Sequence, residues 1–181
     1  ADRERFDCSG VDETLHARSV RTGLAVRRWM EEERLSGFSF NFLSVERDGA
    51  FPTVPFLEAA KAMARGAGYA GEGDVLTAAL CAAVASVRPE VSFTEMFCPD
   101  WRGGTIFLSH MGEINPALAA GRAALARRPA FGGDTDVVVA AGRFKPGRAA
   151  IVNCAPGPED HLTLIVADGE MADAPRGDRM D

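Results

Sequence analysis

The sequence predicts an α/β fold, with an α/β layer in the N-terminal half followed by an antiparallel, β-rich, barrel-like part. Two observations lead to this prediction. Before residue 88, apolar residues recur mainly at helical spacing, with one alternating segment between the helices. After Pro89, short alternating runs are separated by Gly and Pro turns, which is typical of strands. We therefore place a domain boundary near Arg88-Pro89, between residues 1–88 and residues 89–181.

The first predicted element is a long helix. Residues Ser9–Asp12 resemble a capping box, in which a hydroxyl and a carboxylate satisfy the first free amides of a helix. The helix should continue to about Glu33, because Ser36-Gly37 supplies a C-terminal stop. The predicted buried residues of this helix are Leu15, Val20, Leu24 and Trp29.

A strand, a helix, a loop and a second helix complete the predicted N-terminal half. Alternation over Phe38–Phe42 predicts the strand, and helical spacing over Phe56–Met63 predicts the helix. A loop punctuated by glycines follows over residues 66–73. Asp74 is then a good cap for an alanine-rich helix over Val75–Val87.

The second half is predicted to be mostly strands. The predicted strands are Val91–Phe97, Thr105–Met111, Val137–Phe144, Ala149–Cys154 and Leu162–Ala167. An alanine-rich segment from Pro116 to Arg127 predicts one short helix among them.

Composition excludes several classes of protein. The chain has 181 residues, a net charge of -6, 46% hydrophobic and 25% charged residues, as in ordinary globular proteins. Its basic residues are scattered, which argues against nucleic-acid binding. Apolar stretches are too short to span a bilayer, and no secretory signal is recognisable, so we expect a cytoplasmic protein without membrane partners. The cysteines, which lack CxxC spacing and should be free thiols, are Cys8, Cys81, Cys98 and Cys154.

Two predicted strand faces are apolar except for one candidate ligand each. Side chains alternate across a strand, so Phe93 and Glu95 share a face. Ile106 and His110 share a face of the next strand in the same way. A carboxylate on an apolar face must be paired, protonated or bound to a cation, because burying a bare charge is costly. If the intervening turn centres on Arg102-Gly103, Glu95 lies opposite His110, with Cβ atoms roughly 4.5–5.5 Å apart.

Glu72 is the third candidate ligand. It lies between Gly71 and Gly73, and glycines allow unusual backbone angles and close access for a ligand. A functional carboxylate on a loop above a scaffold is a common arrangement. Two carboxylates and one histidine suit Mn²⁺, Mg²⁺ or Fe²⁺ better than a structural zinc.

Each of these residues also has a purely structural interpretation. Glu95 could pair with an arginine such as Arg102 or Arg143. His110 could be a hydrogen-bonded core histidine, and Glu72 an exposed loop residue.

Four further polar residues are less informative. Asp74 is most simply a helix cap, and Glu113 could either line a site or cap a following helix. We interpret His16 as a surface residue and His161 as part of a solvated turn.

Three segments together resemble the L-arabinose isomerase family and its L-fucose isomerase relatives. Residues 71–74, Gly-Glu-Gly-Asp, with the helix that follows resemble the EGD-containing loop and helix of that family. Ser92–Met96 is similar to its strand ending in a second glutamate, and His110–Pro116 to its HM-x-E-x-x-P segment. Two departures, Met96-Phe97-Cys98 and Val75-Leu76, put the sugar specificity in question, so L-arabinose need not be the substrate.

The resemblance implies a function and a site. In that family a divalent metal, usually Mn²⁺, is held by two glutamates and two histidines. By motif, Glu72 and Glu95 are the glutamates, with acid and base roles, and His110 is one histidine; the second is not His161 and is missing. The activity implied is aldose–ketose isomerisation of a sugar through an enediolate.

The resemblance also implies an organisation. Residues 1–88 would be part of the middle domain, and residues 89–181 the start of an incomplete C-terminal domain. The family's active sites lie between subunits of a trimer-based homo-oligomer, so the chain alone should be inactive. Two alternatives remain open: a non-catalytic metal- or sugar-binding fragment, and a metal-dependent hydrolase.

Overall fold

The computed structural model describes residues 1–42, 51–129 and 136–173. The helices in the described ranges are α1 (Asp2–Arg5), α2 (Glu13–Glu32), α3 (Phe56–Met63) and α4 (Val75–Ala85). The strands there are β1 (Asp7–Gly10), β2 (Gly37–Ser39), β3 (Gly68–Ala70), β4 (Glu95–Asp100), β5 (Thr105–Ser109), β6 (Ala124–Pro129), β7 (Asp136–Ala141), β8 (Gly147–Pro156) and β9 (Leu162–Met171). Short 3-10 turns occupy Pro116–Leu118 and Pro158–Asp160.

The strands form one three-stranded and three two-stranded sheets. In the larger sheet β6 lies between β1, to which it is parallel, and β7, to which it is antiparallel. Strands β2 and β3 are parallel, whereas β4–β5 and β8–β9 are antiparallel hairpins. The mixed α/β class is therefore confirmed, but none of the sheets in the described ranges closes into a barrel.

Helix α3 is central because both of its faces are buried. Leu57 and Ala60 pack against the three-stranded sheet, in a cluster that includes Val138. Ala59 and Met63 pack on the other side, in the cluster formed with α2, β2 and β3. Since β1 also pairs with β6, residues on both sides of position 88 share these cores. The domain boundary at Arg88-Pro89 itself stays a prediction.

Helix α2 begins directly after Asp12, and only part of its predicted buried face is buried: Leu15 is buried as predicted. The Asp12 carboxylate accepts a hydrogen bond from the Leu15 amide at 2.9 Å, while Ser9 belongs to β1 and takes no part in the cap. Leu24 and Trp29, predicted to be buried, are 54% and 44% exposed. The buried stripe instead contains small residues such as Gly23, whose missing side chain lets α3 approach closely.

The predicted loop over residues 66–73 contains a strand. Strand β3 is fully buried and runs beside β2. Gly68 permits this, because a Cβ there would lie 2.3 Å from the Ala78 carbonyl oxygen of α4. A three-residue strand surrounded by glycines carries too little alternation to be recognised from sequence.

The helix predicted from Pro116 to Arg127 is wrong. Asn115 caps only a single 3-10 turn, and β6 follows from Ala124. Alanine favours a helix locally, but β6 gains two strand neighbours, which outweighs that preference.

The other predicted strands are present with shifted ends, except for the first. Residues 91–94 do not form a strand. The Asn115 side-chain amide donates to the Val91 carbonyl, and the Asn115 backbone amide donates to the Ser92 hydroxyl, in place of a neighbouring strand. The predicted strand Phe38–Phe42 ends at Ser39.

All four cysteines are free thiols, as predicted. Within the described residues, no helix has both the length and the apolar character needed to cross a bilayer.

Candidate functional site

The loop before α4 holds Glu72 in an unusual backbone conformation. Glu72 has a φ of 59° and Gly73 a φ of 83°, both in the left-handed region. Asp74 then caps α4 by accepting from the Thr77 amide at 2.9 Å and the Thr77 hydroxyl at 2.6 Å, as predicted. The Ser39 hydroxyl of β2 donates to the Ala70 carbonyl of β3 at 2.8 Å, and its contact of 3.3 Å with the Gly71 carbonyl ties the start of the loop to β2. The Glu-Gly-Asp segment is thus a tight turn that ends in a helix cap.

Gly71 lies directly against the imidazole of His110. A Cβ at Gly71 would be 3.0 Å from His110 Cε1 and 3.1 Å from Nε2. The absence of a side chain therefore leaves a small cradle beside the ring edge, next to Glu72. This contact brings the two sequence motifs, residues 71–74 and 110–116, together.

Glu95 and His110 are brought together, but not in the predicted register. The β4–β5 turn is centred on Arg102-Gly103 as expected, since Asp100 pairs with Thr105. A β-bulge then leaves Phe97 without a partner, so that Glu95 pairs with Ser109 and not with His110. His110 follows the end of β5, and its Nε2 lies 4.0 Å from Glu95 Oε1.

The prediction that Glu95 lies on a buried apolar face is wrong. Its side chain is 48% exposed, and every residue of β4 is exposed. Glu95 lies within ion-pair distance of His110, whose side chain is only 9% exposed. An exposed carboxylate beside a buried imidazole can change rotamer at little cost, because water solvates it in either position.

A buried carboxylate, Glu113, lies on the other side of His110. Its Oε2 is in ion-pair contact with His110 Nδ1, and its Oε1 accepts a hydrogen bond from the Tyr69 hydroxyl. Glu113 is fully buried. Although these two atoms are in ion-pair contact, neither Nδ1 nor Oε2 makes a hydrogen bond of normal geometry among the described residues. Of the two roles that the sequence allowed Glu113, it does not cap a helix, and it lies buried against His110.

These contacts perturb the titration of two groups. Burial alone would lower the pKa of His110. Its contact with the Glu113 carboxylate outweighs burial, the charges of Glu95 and Glu72 add to that effect, and the pKa of His110 is raised. Burial, followed by the charge of Glu113, raises the pKa of Tyr69 well above its usual value, so Tyr69 stays a hydrogen-bond donor.

The segment that carries His110 and Glu113 is fixed by its neighbours. Gly112 has a φ of 72°, and a Cβ there would lie 2.1 Å from Val139 Cβ. Ile114 enters the core, and the Asn115 side chain donates to the Val91 carbonyl at 2.8 Å. Only a glycine fits at position 112, because the chain turns against β7 there.

The residues of this site suit a divalent cation by type. Two carboxylates and an imidazole are good ligands for Mn²⁺ or Mg²⁺, and the cradle at Gly71 lies beside Nε2 of His110. Among the residues that the structure describes, no three His, Cys, Asp or Glu side chains are close enough together to hold an ion as they stand. Because the side chain of Glu95 is exposed, it is free to move closer to Nε2 of His110.

The other two histidines lie elsewhere. His16, interpreted from sequence as a surface residue, is 20% exposed and pairs through Nε2 with Asp2 Oδ2 at 3.1 Å. His161 is exposed at the turn before β9, as expected.

The comparisons with known proteins agree on one family. Residues 7–89 match the model of the L-arabinose isomerase central domain. The chain is 33% identical over 122 residues to the L-arabinose isomerase of Leuconostoc mesenteroides subsp. mesenteroides, which covers 65% of this chain and 25% of that relative.

Two more relatives have similar identities. The L-arabinose isomerase of a Nocardioides species is 30% identical over 143 residues, covering 75% of this chain and 28% of the relative. L-arabinose isomerase 2 of Bacillus licheniformis is 31% identical over 117 residues, covering 62% and 24%. The matched part of this chain spans about a quarter of the length of these relatives.

Proposed function

We propose that this chain, whose residues 7–89 match the model of the L-arabinose isomerase central domain, forms part of a metal-dependent aldose–ketose isomerase. Its proposed metal ligands are Glu72, Glu95 and His110, and its proposed acid and base are the two glutamates. The observation that carries this proposal is the approach of Glu95 to Nε2 of the buried His110, at 4.0 Å.

The proposed reaction needs two proton transfers. One proton moves between C1 and C2 of the sugar, and another moves between the two oxygens. Mn²⁺, held by Glu72, Glu95 and Nε2 of His110, would supply Lewis-acid stabilisation for those two oxygens. A carboxylate within hydrogen-bond reach of the sugar can accept and return a proton.

The two glutamates differ in ways that suit different roles. Glu95 is half-exposed at the start of β4, so it can meet a sugar that enters from solvent. Glu72 is held by a left-handed turn at the base of α4, within electrostatic range of His110. Fixed groups contribute positioning, which can lower a barrier by several kcal/mol.

The proposed surroundings of the site follow from exposed apolar residues on the hairpins. Phe97 and Trp101 of the β4–β5 hairpin are 57% and 87% exposed, and Leu164 of β9 is 59% exposed. Exposed apolar groups of this kind mark interaction surfaces. We propose that the hairpins belong to a barrel-like domain of a cytoplasmic homo-oligomer, trimer-based as in the family.

The test of the metal site is Mn²⁺ binding to the 181-residue chain, measured by calorimetry. We expect Glu95→Gln to weaken binding at least tenfold and to leave the unfolding transition in place. Glu32→Gln is the matched control, because Glu32 is an exposed carboxylate that pairs only with Arg28 on α2 among the described contacts. Equal affinity of wild type and Glu95→Gln would contradict the assignment of Glu95.

The test of the reaction uses the complete gene product with Mn²⁺ and a panel of aldoses, including L-arabinose. We expect ketose formation that Glu95→Gln abolishes. Sugar binding without ketose would instead favour the non-catalytic binding module.

A further inference from the structure

We propose that Glu113 is a positioning residue that, together with Tyr69, holds the imidazole of His110 with Nδ1 inward and Nε2 toward Glu95. The inference rests on the proposed function, because a fixed Nε2 matters most if it binds a cation. It concerns Glu113, for which the sequence left open whether it lines a site, and Tyr69, for which the sequence predicted no role.

The first argument is the burial of Glu113. Its side chain is fully buried, although an isolated buried carboxylate is among the most costly groups in a protein. Its two oxygens meet the Tyr69 hydroxyl and His110 Nδ1, one each. Glu58, another buried carboxylate, is paired instead with two arginines, Arg27 and Arg65. Glu58 neutralises charge between helices, whereas Glu113 points at a single imidazole.

The second argument is that the backbone fixes Glu113 from both sides. Glu113 forms a parallel bridge with Ala140 of β7, and the Ala140 amide donates to the Gly112 carbonyl at 3.3 Å. The next side chain, Ile114, lies in the core. The carboxylate therefore has one direction available, toward Tyr69 and His110.

The third argument is that Tyr69, the second partner of Glu113, is also held in place by its neighbours. Tyr69 is fully buried in β3 and packs against Phe38 with ring centroids 5.1 Å apart. Phe93 packs edge-on against both rings, 6.2 Å from Tyr69 and 4.7 Å from His110. An imidazole held by an edge contact and an Nδ1 contact has little freedom to rotate.

The consequence for His110 is a defined tautomer. When Nδ1 carries the hydrogen that faces Glu113, Nε2 of a neutral ring presents its lone pair on the side of Gly71 and Glu95. Carboxylates that orient ligand histidines in this way typically affect metal affinity by 10–100-fold. The pairing thus selects which ring nitrogen of His110 is available to a cation.

The test compares three variants and a control in the 181-residue chain. Glu113→Met keeps the length of the side chain but removes both acceptors. Glu113→Gln keeps an acceptor for Nδ1, and Tyr69→Phe removes only the hydroxyl. Asp2→Asn is the matched control, because it breaks the other histidine–carboxylate pair, with His16, outside the site.

Two measurements separate positioning from a merely structural role. The chain has three histidines, so ring ¹⁵N shifts of His110 can be followed in the metal-free chain above its pKa. We expect the Nδ1–H tautomer in wild type and Glu113→Gln, and a shift toward Nε2–H in Glu113→Met. Mn²⁺ affinity, measured by calorimetry, should fall 10–100-fold in Glu113→Met, a few-fold in Tyr69→Phe, and not in Asp2→Asn.

An unchanged His110 tautomer in folded Glu113→Met would overturn the inference, even if that variant were less stable. Wild-type affinity for Mn²⁺ in Glu113→Met would overturn it as well. If the wild-type chain bound no Mn²⁺, the proposed metal site would fail, and the ¹⁵N shifts alone would decide the role of Glu113. If Glu113→Met does not fold, Tyr69→Phe is compared with Glu113→Gln instead. A smaller Nδ1–H population of His110 in Tyr69→Phe would support the inference, and equal populations would overturn it.

Discussion

Substitution of Gly112 by alanine should damage both stability and the site. Gly112 has a φ of 72°, a conformation that costs a residue with a Cβ about 1–2 kcal/mol. The new Cβ would also lie 2.1 Å from Val139 Cβ, far inside contact distance. Overpacking of this kind costs about 1–3 kcal/mol. We therefore expect the free energy of unfolding to fall by about 2–5 kcal/mol.

Gly104→Ala is the control for this prediction. Gly104 also has a positive φ, 62°, but no atom lies within 4 Å of where its Cβ would be. This variant should lose only the conformational part, about 1–2 kcal/mol. The difference between the two variants, about 1–3 kcal/mol, isolates the collision with β7.

The assay is urea unfolding followed by circular dichroism, with Mn²⁺ calorimetry as a second readout. Because residue 112 lies between His110 and Glu113, relief of the collision should move both of these side chains. Gly112→Ala should thus weaken Mn²⁺ binding, and Gly104→Ala should not. Equal losses of stability in the two variants would refute the argument from close packing.

Two further predictions concern regions outside the site. Asp2→Asn should reduce stability at pH 7 by about 1–2 kcal/mol: burial raises the pKa of Asp2, but Lys61 and His16 lower it more, so the net pKa is lowered. This contribution is complete above the unfolded pKa of 3.8 and is lost as the pH falls through the folded value, so urea unfolding should show a smaller gap between the two proteins at pH 3. Gly68→Ala should lower the free energy of unfolding by more than about 3 kcal/mol, because backbone atoms lie 2.3 and 2.4 Å from the added Cβ. Gly121→Ala is the control and should leave stability unchanged, because no atom lies within 4 Å of its Cβ. A wild-type thermal melt of Gly68→Ala would contradict the prediction.

The sequence predicted those elements whose signals are local. Asp74 caps α4 as expected, because a cap depends on residues within one turn. Helix α2 is capped by Asp12 alone, and not by the predicted capping box with Ser9. The turn centre of the β4–β5 hairpin was also correct. Elements that depend on distant partners were missed: β1 and β3 are short, and β6 lies in an alanine-rich stretch that favours a helix by itself.

The sequence proposes the members of the candidate site, an assignment that stays a prediction, but it does not reveal their geometry. The motifs contain Glu72, Glu95 and His110, and the structure brings Gly71 and Glu95 close to the imidazole of His110. The bulge at Phe97 shifted the hairpin register by one residue, which no local pattern revealed. The position of Glu113 depends on Tyr69, 44 residues earlier in the chain, so only the folded structure shows their contact.

The pairing of β1 with β6 has a consequence for how the protein is made. Asp7 pairs with Ala124, so the first strand leaves the ribosome long before its partner exists. At the usual 5–20 residues per second, the interval is roughly 6–25 s. During that time the apolar faces of α2 and α3 lack the sheet that will cover them. We expect the nascent chain to need chaperone protection until β7 has been synthesised, and folding to be slow because its decisive contacts are far apart in sequence.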